Sequence, residues 1–333
     1  MKHILITGGA GYVGSRLVPQ LLAMGNKVTV FDIMYYGNSF LPLHDPNLTV
    51  ITGDLRDITT FSVYFEGVDV VIHLGCISND ASFELNEALS RTINYESFEA
   101  LVIVSKKGGV KRFIYASSSS VYGVSSANNV TEDHPLVPLT LYNKYKGLCE
   151  PILFKHQSRN FTCVTIRPAT LCGYAPRQRL DLTVNILTNW AVNRGKIKVF
   201  GGDQLRPNLH IQDMCDLYIK LIYEDSAKIA GQTFNVGYQN MSIMQIALIV
   251  KNIVEEKTNV KDRIKIETSE TNDMRSYHIN SDKIKCVLGF EPRFTIEDAI
   301  AELCHAFGRG EFPHSFDKDK YFNVRQMKAL NVF

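Results

Sequence analysis

The chain has 333 residues, of which 45% are hydrophobic and 21% are charged, and its formal net charge is +2. These values are typical of a globular protein with one or two domains, and the lack of a basic block disfavours a nucleic-acid partner. No apolar run approaches membrane-spanning length, so we expect no membrane association. The first strand begins at once, which predicts that no signal peptide precedes it.

Seven cysteines are scattered along the chain, and none lies in a Cys-x-x-Cys pair. An odd number without paired spacing argues against a disulfide framework and against a zinc site. We therefore predict a protein without a bound metal in a reducing compartment, and we expect it in the cytoplasm.

The N-terminal stretch carries a dinucleotide-binding pattern. An apolar run over residues 3–7 predicts a buried strand, and a helical pattern later runs to about Met24, before a β-branched run over 28–31 that ends on Asp32. The turn between strand and helix is built from Gly8, Gly9, Gly11 and Gly14. Glycines in this context let the backbone approach a pyrophosphate at the helix N-terminus.

Asp32 indicates which dinucleotide is bound. Its carboxylate can accept hydrogen bonds from both hydroxyls of the adenosine ribose, and it would repel a 2′-phosphate. No arginine lies between Ile33 and Phe40 to reverse that preference, so the predicted cofactor is NAD rather than NADP. Pro19 lies inside the predicted helix, where it should bend the axis.

Strand-like and helical segments alternate after Asp32. The predicted strands cover residues 48–52, 68–74, 112–117 and 162–167, and the clearest helices cover 88–107 and 142–158. This alternation predicts an α/β fold, a Rossmann-type doubly wound parallel sheet whose ligands bind beyond the carboxyl ends of the strands.

The alternation breaks down from about residue 174. We therefore predict an NAD-binding domain over residues 1–173, to which residues 208–237 return, and a smaller mixed α/β substrate domain over residues 174–333. The later segments include a loop with Arg177 and Arg179, and a charged, aromatic tail over 308–333 that we interpret as a wrapping loop.

Small and polar residues follow the predicted strands. Asp54 comes after the third strand and is placed to meet the adenine amino group. Gly75 and Cys76 come after the fourth, and their small size suits a wall beside the cofactor. The fifth strand ends in a run of serines, residues 117–120. Because the carboxyl ends of parallel strands meet at one edge, we expect these residues in one crevice.

Tyr142 and Lys146 lie four residues apart at the start of the helix after the serine run, so they share one helix face. A neighbouring ammonium, together with the positive nicotinamide ring of NAD⁺, stabilises a phenolate. Tyr142 is therefore a candidate general base, and Ser118 can hydrogen-bond the same substrate oxygen.

Together these motifs resemble the extended short-chain dehydrogenase/reductase superfamily, in its nucleotide-sugar epimerase/dehydratase branch. The similarity runs from the stretch 7–14 to the stretch 288–290 and so covers nearly the whole chain. It implies an NAD-dependent enzyme whose substrate is a nucleotide-diphosphate sugar. In such enzymes the tyrosine takes the proton of the sugar 4-hydroxyl while hydride leaves C4 for NAD⁺, which gives a 4-keto sugar.

The resemblance also implies roles for individual residues, with Ser118, Tyr142 and Lys146 as the catalytic set. The residues expected at the cofactor are Gly8, Gly11, Tyr12, Val13, Gly14, Asp32, Asp54, Leu55, Leu74, Gly75, Asn94, Ser117, Tyr142, Lys146 and Pro168. Those expected at the nucleotide sugar are Ser78, Ser118, Ser119, Thr170, Asn185, Arg206 and Arg275, the last three at the diphosphate.

The fate of the keto sugar separates the reactions of the family. A 4-epimerase returns hydride to the other face, and this is the reaction we predict. A 4,6-dehydratase has an Asp-Glu pair where this chain has Ser119 and Ser120, which disfavours dehydration. The stretches 167–170, 176–182 and 273–277 resemble a subgroup that includes a GDP-heptose 4-dehydrogenase. A 4-dehydrogenase or 4-keto reductase is therefore the leading alternative.

Further alternatives stay open. Cys76 and Cys172 at strand ends allow a 3,5-epimerising reductase, although buried packing is the expected role of such small side chains. A redox-sensing or binding protein without turnover would have no need of Tyr142 and Lys146. Relatives usually form homodimers through two helices of each subunit, here 88–107 and 142–158, and supply precursors of surface polysaccharides or glycoconjugates.

Overall fold

The computed structural model of the protein describes residues 1–125, 127, 129–258, 263–271, 276 and 278–332. Its strands are β1 (His3–Thr7), β2 (Lys27–Asp32), β3 (Leu48–Thr52), β4 (Val70–His73), β5 (Arg112–Ala116), β6 (Thr162–Pro168), β7 (Thr170–Cys172), β8 (Lys196–Phe200), β9 (Leu205–His210), β10 (Gln232–Val236), β11 (Gln239–Ser242) and β12 (Lys265–Ser269). Its α-helices are α1 (Tyr12–Ala23), α2 (Asp80–Phe83), α3 (Glu87–Arg91), α4 (Phe98–Lys107), α5 (Leu141–Lys155), α6 (Thr183–Arg194), α7 (Ile211–Tyr223), α8 (Ser226–Ile229), α9 (Ile243–Thr258), α10 (Asp282–Leu288), α11 (Ile296–Gly308) and α12 (Asn323–Ala329).

The main sheet has seven strands in the order β10-β6-β5-β4-β1-β2-β3. All of its pairings are parallel, and at the centre Thr7 of β1 lies opposite Phe31 of β2 and His73 of β4. The chain order changes direction between β1 and β4, where a doubly wound sheet opens a crevice at its carboxyl edge. The predicted Rossmann-type α/β fold is confirmed.

Both faces of this sheet are covered by helices. Because side chains alternate along a strand, Ile4 and Ile6 of β1 enter one apolar cluster with Leu17 of α1, whereas Leu5 enters another with Leu101 of α4. All of these side chains are 0–1% exposed. Burying each of them contributes about 1.5–3 kcal/mol, so the two layers hold the strand ends rigidly in place.

The segments after residue 174 form further layers beside the sheet. Strands β7, β9 and β11 form a three-stranded sheet, and β8 pairs with β12 in parallel. Helices α6, α9 and α11 enclose a third apolar cluster that contains Leu187, Val250 and Ile300. Strand β10 lies in the main sheet. The division into two domains stays a prediction.

The structure differs locally from the predicted elements. Helix α1 is continuous from Tyr12 to Ala23 through Pro19. The segment predicted as one helix over 88–107 is helical, but a π-helical turn over Thr92–Glu96 lies between α3 and α4. The tail predicted as a loop contains α12. Among the helices that the structure describes, none is long and apolar enough to cross a membrane.

Candidate active site

A cavity of about 850 Å³ lies beyond the carboxyl edge of the main sheet. The predicted site residues that line it are Gly8, Gly11, Tyr12, Val13, Asp32, Asp54, Leu55, Leu74, Gly75, Ser78, Ser117, Ser118, Tyr142, Pro168, Thr170 and Arg206. Sheet topology therefore brings together residues that lie far apart in the sequence. The other predicted residues, Gly14, Asn94, Lys146, Ser119 and Asn185, are outside this lining, and Arg275 lies outside the described residues.

The glycine turn requires residues without a side chain. Gly8 has a φ of 71°, and a Cβ there would lie 2.5 Å from the backbone nitrogen of Gly75. A Cβ on Gly14 would lie 2.2 Å from the carbonyl oxygen of Gly9, so the first turn of α1 rests directly on the turn before it. This close packing leaves the N-terminus of α1 open to the cavity, and the residues fit the diphosphate of a dinucleotide.

Asp32 lies at the carboxyl end of β2, on the cavity wall. Its Oδ2 accepts from the backbone N–H of Ala10 at 2.9 Å, and its Oδ1 accepts from the backbone N–H of Met34 at 2.8 Å. Burial raises the pKa of this carboxyl, while these N–H groups and the charge of Arg177 act in the opposite direction. The two hydrogen bonds fix the orientation in which the carboxylate meets a ribose.

Asp54 also lines the cavity, but its carboxylate is shared with a neighbour. It accepts the backbone N–H of Arg56 at 2.9 Å and the Nη2 of the same residue at 2.6 Å. Burial alone would raise the pKa of Asp54, but the bonds from Arg56 outweigh it and the pKa is lowered. The carboxylate of Asp54 thus already has a cationic partner, and its contact with adenine stays a prediction.

The N-terminus of α5 presents Tyr142 to the cavity. Thr140 caps this helix by accepting the backbone N–H of Asn143 at 3.3 Å, and its hydroxyl donates to Asp80 at 2.5 Å. The ring of Tyr142 contacts Phe83 edge-on, with 6.3 Å between the ring centroids. A cap on one side and α2 on the other hold the phenol at the cavity wall.

The surroundings of Tyr142 disfavour its phenolate. Burial raises the pKa of the phenol well above its ordinary value, and the charge of Asp80 acts in the same direction. The cation of Arg179 and the backbone N–H of Asn79 act against this rise. Tyr142 therefore needs a further positive charge beside it to act as a base near neutral pH.

Lys146 lies one turn behind Tyr142 and is 4% exposed. Its Nζ donates to the carbonyl oxygen of Ala116 at 2.7 Å and lies 5.2 Å from the centre of the Tyr115 ring. The ammonium is thus tied to the end of β5 beneath the cavity, on the helix face that carries Tyr142.

The serine run forms a hydrogen-bonded chain. The Oγ atoms of Ser118 and Ser120 are 2.6 Å apart, and the hydroxyl of Ser120 also donates to the side-chain oxygen of Asn143. Ser119, a predicted substrate residue, is 1% exposed and lies outside the cavity lining. Ser118 therefore faces the cavity from a fixed network.

A buried ionic network behind Ser117 escaped the sequence analysis. The Ser117 hydroxyl donates to Glu150 at 2.6 Å, and Glu150 accepts both Nε and Nη2 of Arg167 at 3.0 and 2.6 Å. Glu150 follows Lys146 by one helix turn, and this spacing is the sequence signal that could have indicated a role for Glu150 near the site. This network locks the ends of β5 and β6 onto α5.

Two predicted asparagines support the site from outside the cavity. Asn94 lies in the π-helical turn, where its side-chain amide accepts the backbone N–H of Ile77 and donates to its carbonyl at 2.8 and 2.9 Å. Asn185 accepts from the backbone N–H of Gly173 at 3.0 Å and donates to the Arg179 carbonyl at 2.8 Å. Its amide therefore shapes the loop after β7 and does not face the cavity.

The opposite wall of the cavity comes from the loop after β2, the loop after β7 and helix α12, and the sequence pattern assigned its residues no binding role. Its members are Tyr36, Arg177, Arg179, Asp181, Asn323 and Met327. Cys76 also lines the cavity. Cys172 does not, because its thiol is buried and bonded to the Leu209 carbonyl, and burial raises its pKa.

The family model for the NAD-dependent epimerase/dehydratase family matches residues 4–237, and the chain belongs to this family. It is therefore an enzyme of the extended short-chain dehydrogenase/reductase fold, with NAD as its cofactor. The glycine turn and Asp32 would hold that cofactor.

Individual relatives carry out different reactions. The chain is 25% identical over 328 residues to a UDP-glucose 4-epimerase of Lactobacillus helveticus, with coverage of 90% of this chain and 94% of the relative. It is 26% identical over 317 residues to a dTDP-glucose 4,6-dehydratase of Actinoplanes, with coverage of 90% and 95%. The solved structure of MoeE5 with UDP-glucuronic acid and NAD matches it with a TM-score of 0.77, 25% identity and coverage of 92% and 99%.

Proposed function

We propose that the protein is an NAD-dependent nucleotide-sugar 4-epimerase that acts through a 4-keto sugar. The observation that carries this proposal is the position of Tyr142 and Ser118 in the same cavity as the glycine turn and Asp32. A sugar hydroxyl at this edge of the sheet meets both a proton acceptor and a hydroxyl that can bond its oxygen.

The chain's own residues perform the proton chemistry. Tyr142 removes the proton of the sugar 4-hydroxyl and later returns it, while Ser118 hydrogen-bonds the same oxygen. NAD, when bound, supplies the hydride acceptor and donor for C4, and its positive ring favours the Tyr142 phenolate. Lys146, held on the Ala116 carbonyl, adds a second positive charge on the same helix face.

The residues after Ser118 argue against dehydration. Relatives that remove water across C5 and C6 carry Asp and Glu at the positions of Ser119 and Ser120. Ser119 is buried outside the cavity lining, and the hydroxyl of Ser120 is bonded to Ser118 and Asn143. Neither side chain can serve as a carboxylic acid or as a carboxylate base.

A 4-dehydrogenase or 4-keto reductase is the second candidate. The stretch 176–182, which resembles the subgroup with a GDP-heptose 4-dehydrogenase, supplies Arg177, Arg179 and Asp181 to the cavity wall. We propose Ser78, Thr170, Arg206 and Arg275 as the other nucleotide-sugar contacts.

The proposal is tested by incubating the purified protein, without added cofactor, with UDP-, GDP-, CDP- and dTDP-sugars. Absorbance at 340 nm reports NADH, and NMR reports the sugar products. A released C4 epimer without net NADH supports the epimerase. A single burst of bound NADH without a released epimer supports the 4-dehydrogenase, and release of a 4-keto-6-deoxy sugar would overturn both proposals.

We further propose a homodimer in which the helical segments predicted over 88–107, which ends in α4, and over 142–158, which contains most of α5, form a four-helix bundle with those of the second subunit. The two helices pack side by side in the subunit, and α5 leaves Leu148 39% exposed. Light scattering after size exclusion should give twice the mass of the 37.5 kDa chain, and Leu148→Glu should lower it. Residence in the cytoplasm and a role in polysaccharide precursors stay predictions.

A further inference from the structure

Arg177 is a buried cation that the proposed reaction does not use. It lines the cavity and is 4% exposed. Its Nη2 donates to the side-chain oxygen of Asn323 at 2.7 Å, whereas its Nε has no hydrogen-bond partner within the described part of the chain. A buried donor without a partner is costly, and at a cavity wall it indicates a missing ligand.

Arg177 also forms no ion pair with a carboxylate in the described part of the chain. The nearby carboxylate of Asp181 is paired with Nε and Nη2 of Arg179 at 3.0 and 3.1 Å. The carboxylate of Asp32 accepts two backbone N–H groups instead. Burial lowers the pKa of Arg177 to about 10, and the like charge of Arg179 contributes. An anionic ligand in the cavity would relieve both effects.

The position of Arg177 indicates which anion fits. Its backbone N–H donates to the hydroxyl of Ser15 in the first turns of α1 at 3.1 Å, so it lies beside the helix whose N-terminus follows the glycine turn. Its charge acts on Asp32, the predicted ribose ligand. The anchor of Arg177 on α1, and its place in the same cavity as the glycine turn and Asp32, favour the diphosphate of a dinucleotide as the anion.

Two distant segments hold the guanidinium in place. The ring of Tyr36, after β2, lies 3.5 Å from the guanidinium carbon. Asn323, at the start of α12, also donates to Ser78 at 2.8 Å, and its backbone N–H donates to Asp181 at 3.1 Å. Gln326 of the same helix donates to the Tyr35 carbonyl at 2.8 Å. Helix α12 thus holds Arg177 at the cavity wall.

We propose that Arg177, positioned by Tyr36 and Asn323, binds the pyrophosphate of the dinucleotide and closes its site from the C-terminal side. This inference concerns the cofactor, so it holds for an epimerase and for a 4-dehydrogenase alike. The guanidinium can offer its unpaired Nε–H to a phosphate oxygen while Nη2 stays on Asn323.

The test measures the binding of ADP, adenosine and UDP to the nucleotide-free full chain by competition with NADH fluorescence. Arg177→Gln should weaken ADP and NADH by about 10- to 100-fold, since a charge-assisted hydrogen bond is lost. Adenosine and UDP should stay within about twofold of wild type. Arg309→Gln, an exposed arginine at the end of α11, is the matched control and should change none of these values.

Arg177→Lys covers the case in which the glutamine variant does not fold. It keeps the positive charge but loses the planar guanidinium with its several N–H donors, so ADP should bind with intermediate affinity. Asn323→Ala should weaken ADP about 3- to 10-fold without affecting adenosine, because it frees the guanidinium without removing it. Unchanged ADP affinity, or an equal loss for ADP and adenosine, would overturn the proposal. Loss for UDP alone would assign Arg177 to the nucleotide sugar instead.

Discussion

The two walls of the cavity are built in different ways. The sheet wall, made of the glycine turn, Asp32, the serine run and the start of α5, consists of regular backbone at strand and helix ends. The C-terminal wall, made of residues 177–181 and 323–327, is held by side-chain hydrogen bonds between segments up to 291 residues apart. The proposed chemistry therefore rests on rigid local elements, whereas enclosure of the ligands rests on buried side-chain contacts between distant segments.

Removing the proposed base should have the largest effect on kcat. A small effect would show that the chemistry does not rest on the sheet wall. Tyr142→Phe keeps the ring against Phe83 but removes the proton acceptor, so we expect kcat to fall about 10²- to 10⁴-fold. NMR measurement of the rate at which the C4 epimer of an active nucleotide sugar is released checks this. Tyr145→Phe on the same helix is the control, and turnover of the Tyr142 variant within tenfold of the control would remove Tyr142 from its role.

The glycine turn should show that the sheet wall depends on backbone packing. In Gly14→Ala the new Cβ would lie 2.2 Å from the Gly9 carbonyl oxygen. The turn must shift, so we expect a loss of about 3 kcal/mol in stability by urea unfolding, together with weaker NADH binding. Gly308→Ala, where a Cβ would meet nothing within 4 Å, should be neutral. Equal stabilities would show that the turn is not tightly packed.

The sequence predicted the sheet wall well because its determinants are local. Strand, glycine turn, helix and acid lie within one βαβ unit, and Tyr142 and Lys146 are one helix turn apart. Hydrophobic periodicity then orders the strands, and the carboxyl edge of a doubly wound sheet brings their ends together.

The C-terminal wall could not be predicted because its determinants are tertiary. Arg177 is distinguished from a surface arginine only by its contacts with Tyr36 and Asn323. Helix α12 is short and is stabilised by burial of Met327 in a core that lies far away in the sequence. Likewise, no periodic pattern reveals the π-helical turn at Asn94, whose amide is satisfied by Ile77.

An ionic contact between α1 and α11 should contribute less to stability than the glycine turn does. Arg16 of α1 donates to both carboxylate oxygens of Glu302 at 3.0 and 3.1 Å, and the carboxylate also accepts the backbone N–H of Tyr174 at 3.3 Å. Burial would raise the pKa of Glu302, but His210, whose Nε2 lies 3.3 Å from the carboxylate, and the hydrogen bonds from Arg16 hold it at about 2. The charged form therefore stabilises the fold.

Glu302→Gln should lower the free energy of unfolding by about 1–2 kcal/mol at pH 7, a value reduced for the partial exposure of the carboxylate. Because the folded pKa lies below the unfolded value, the wild-type advantage is complete above about pH 5 and is lost as the pH falls towards 2. Urea unfolding at several pH values checks this. A difference that does not depend on pH would mean that Glu302 acts through packing and not through charge.

The smallest expected effect concerns Asp80, a charged residue of the sheet wall, and is a change in the pH profile of kcat/KM. Asp80 raises the pKa of Tyr142 and accepts the hydroxyl of Thr140, which caps α5. Asp80→Asn removes the charge but keeps an acceptor for Thr140, so the phenolate forms more readily. The pH profile of kcat/KM, which rises as Tyr142 loses its proton, should shift to lower pH. Thr140→Ser keeps the same hydroxyl and should leave the profile in place. An unshifted profile in Asp80→Asn would mean that the rise of kcat/KM with pH reports another group. Removing the charge of a carboxylate must change the pKa of a phenol on which that charge acts.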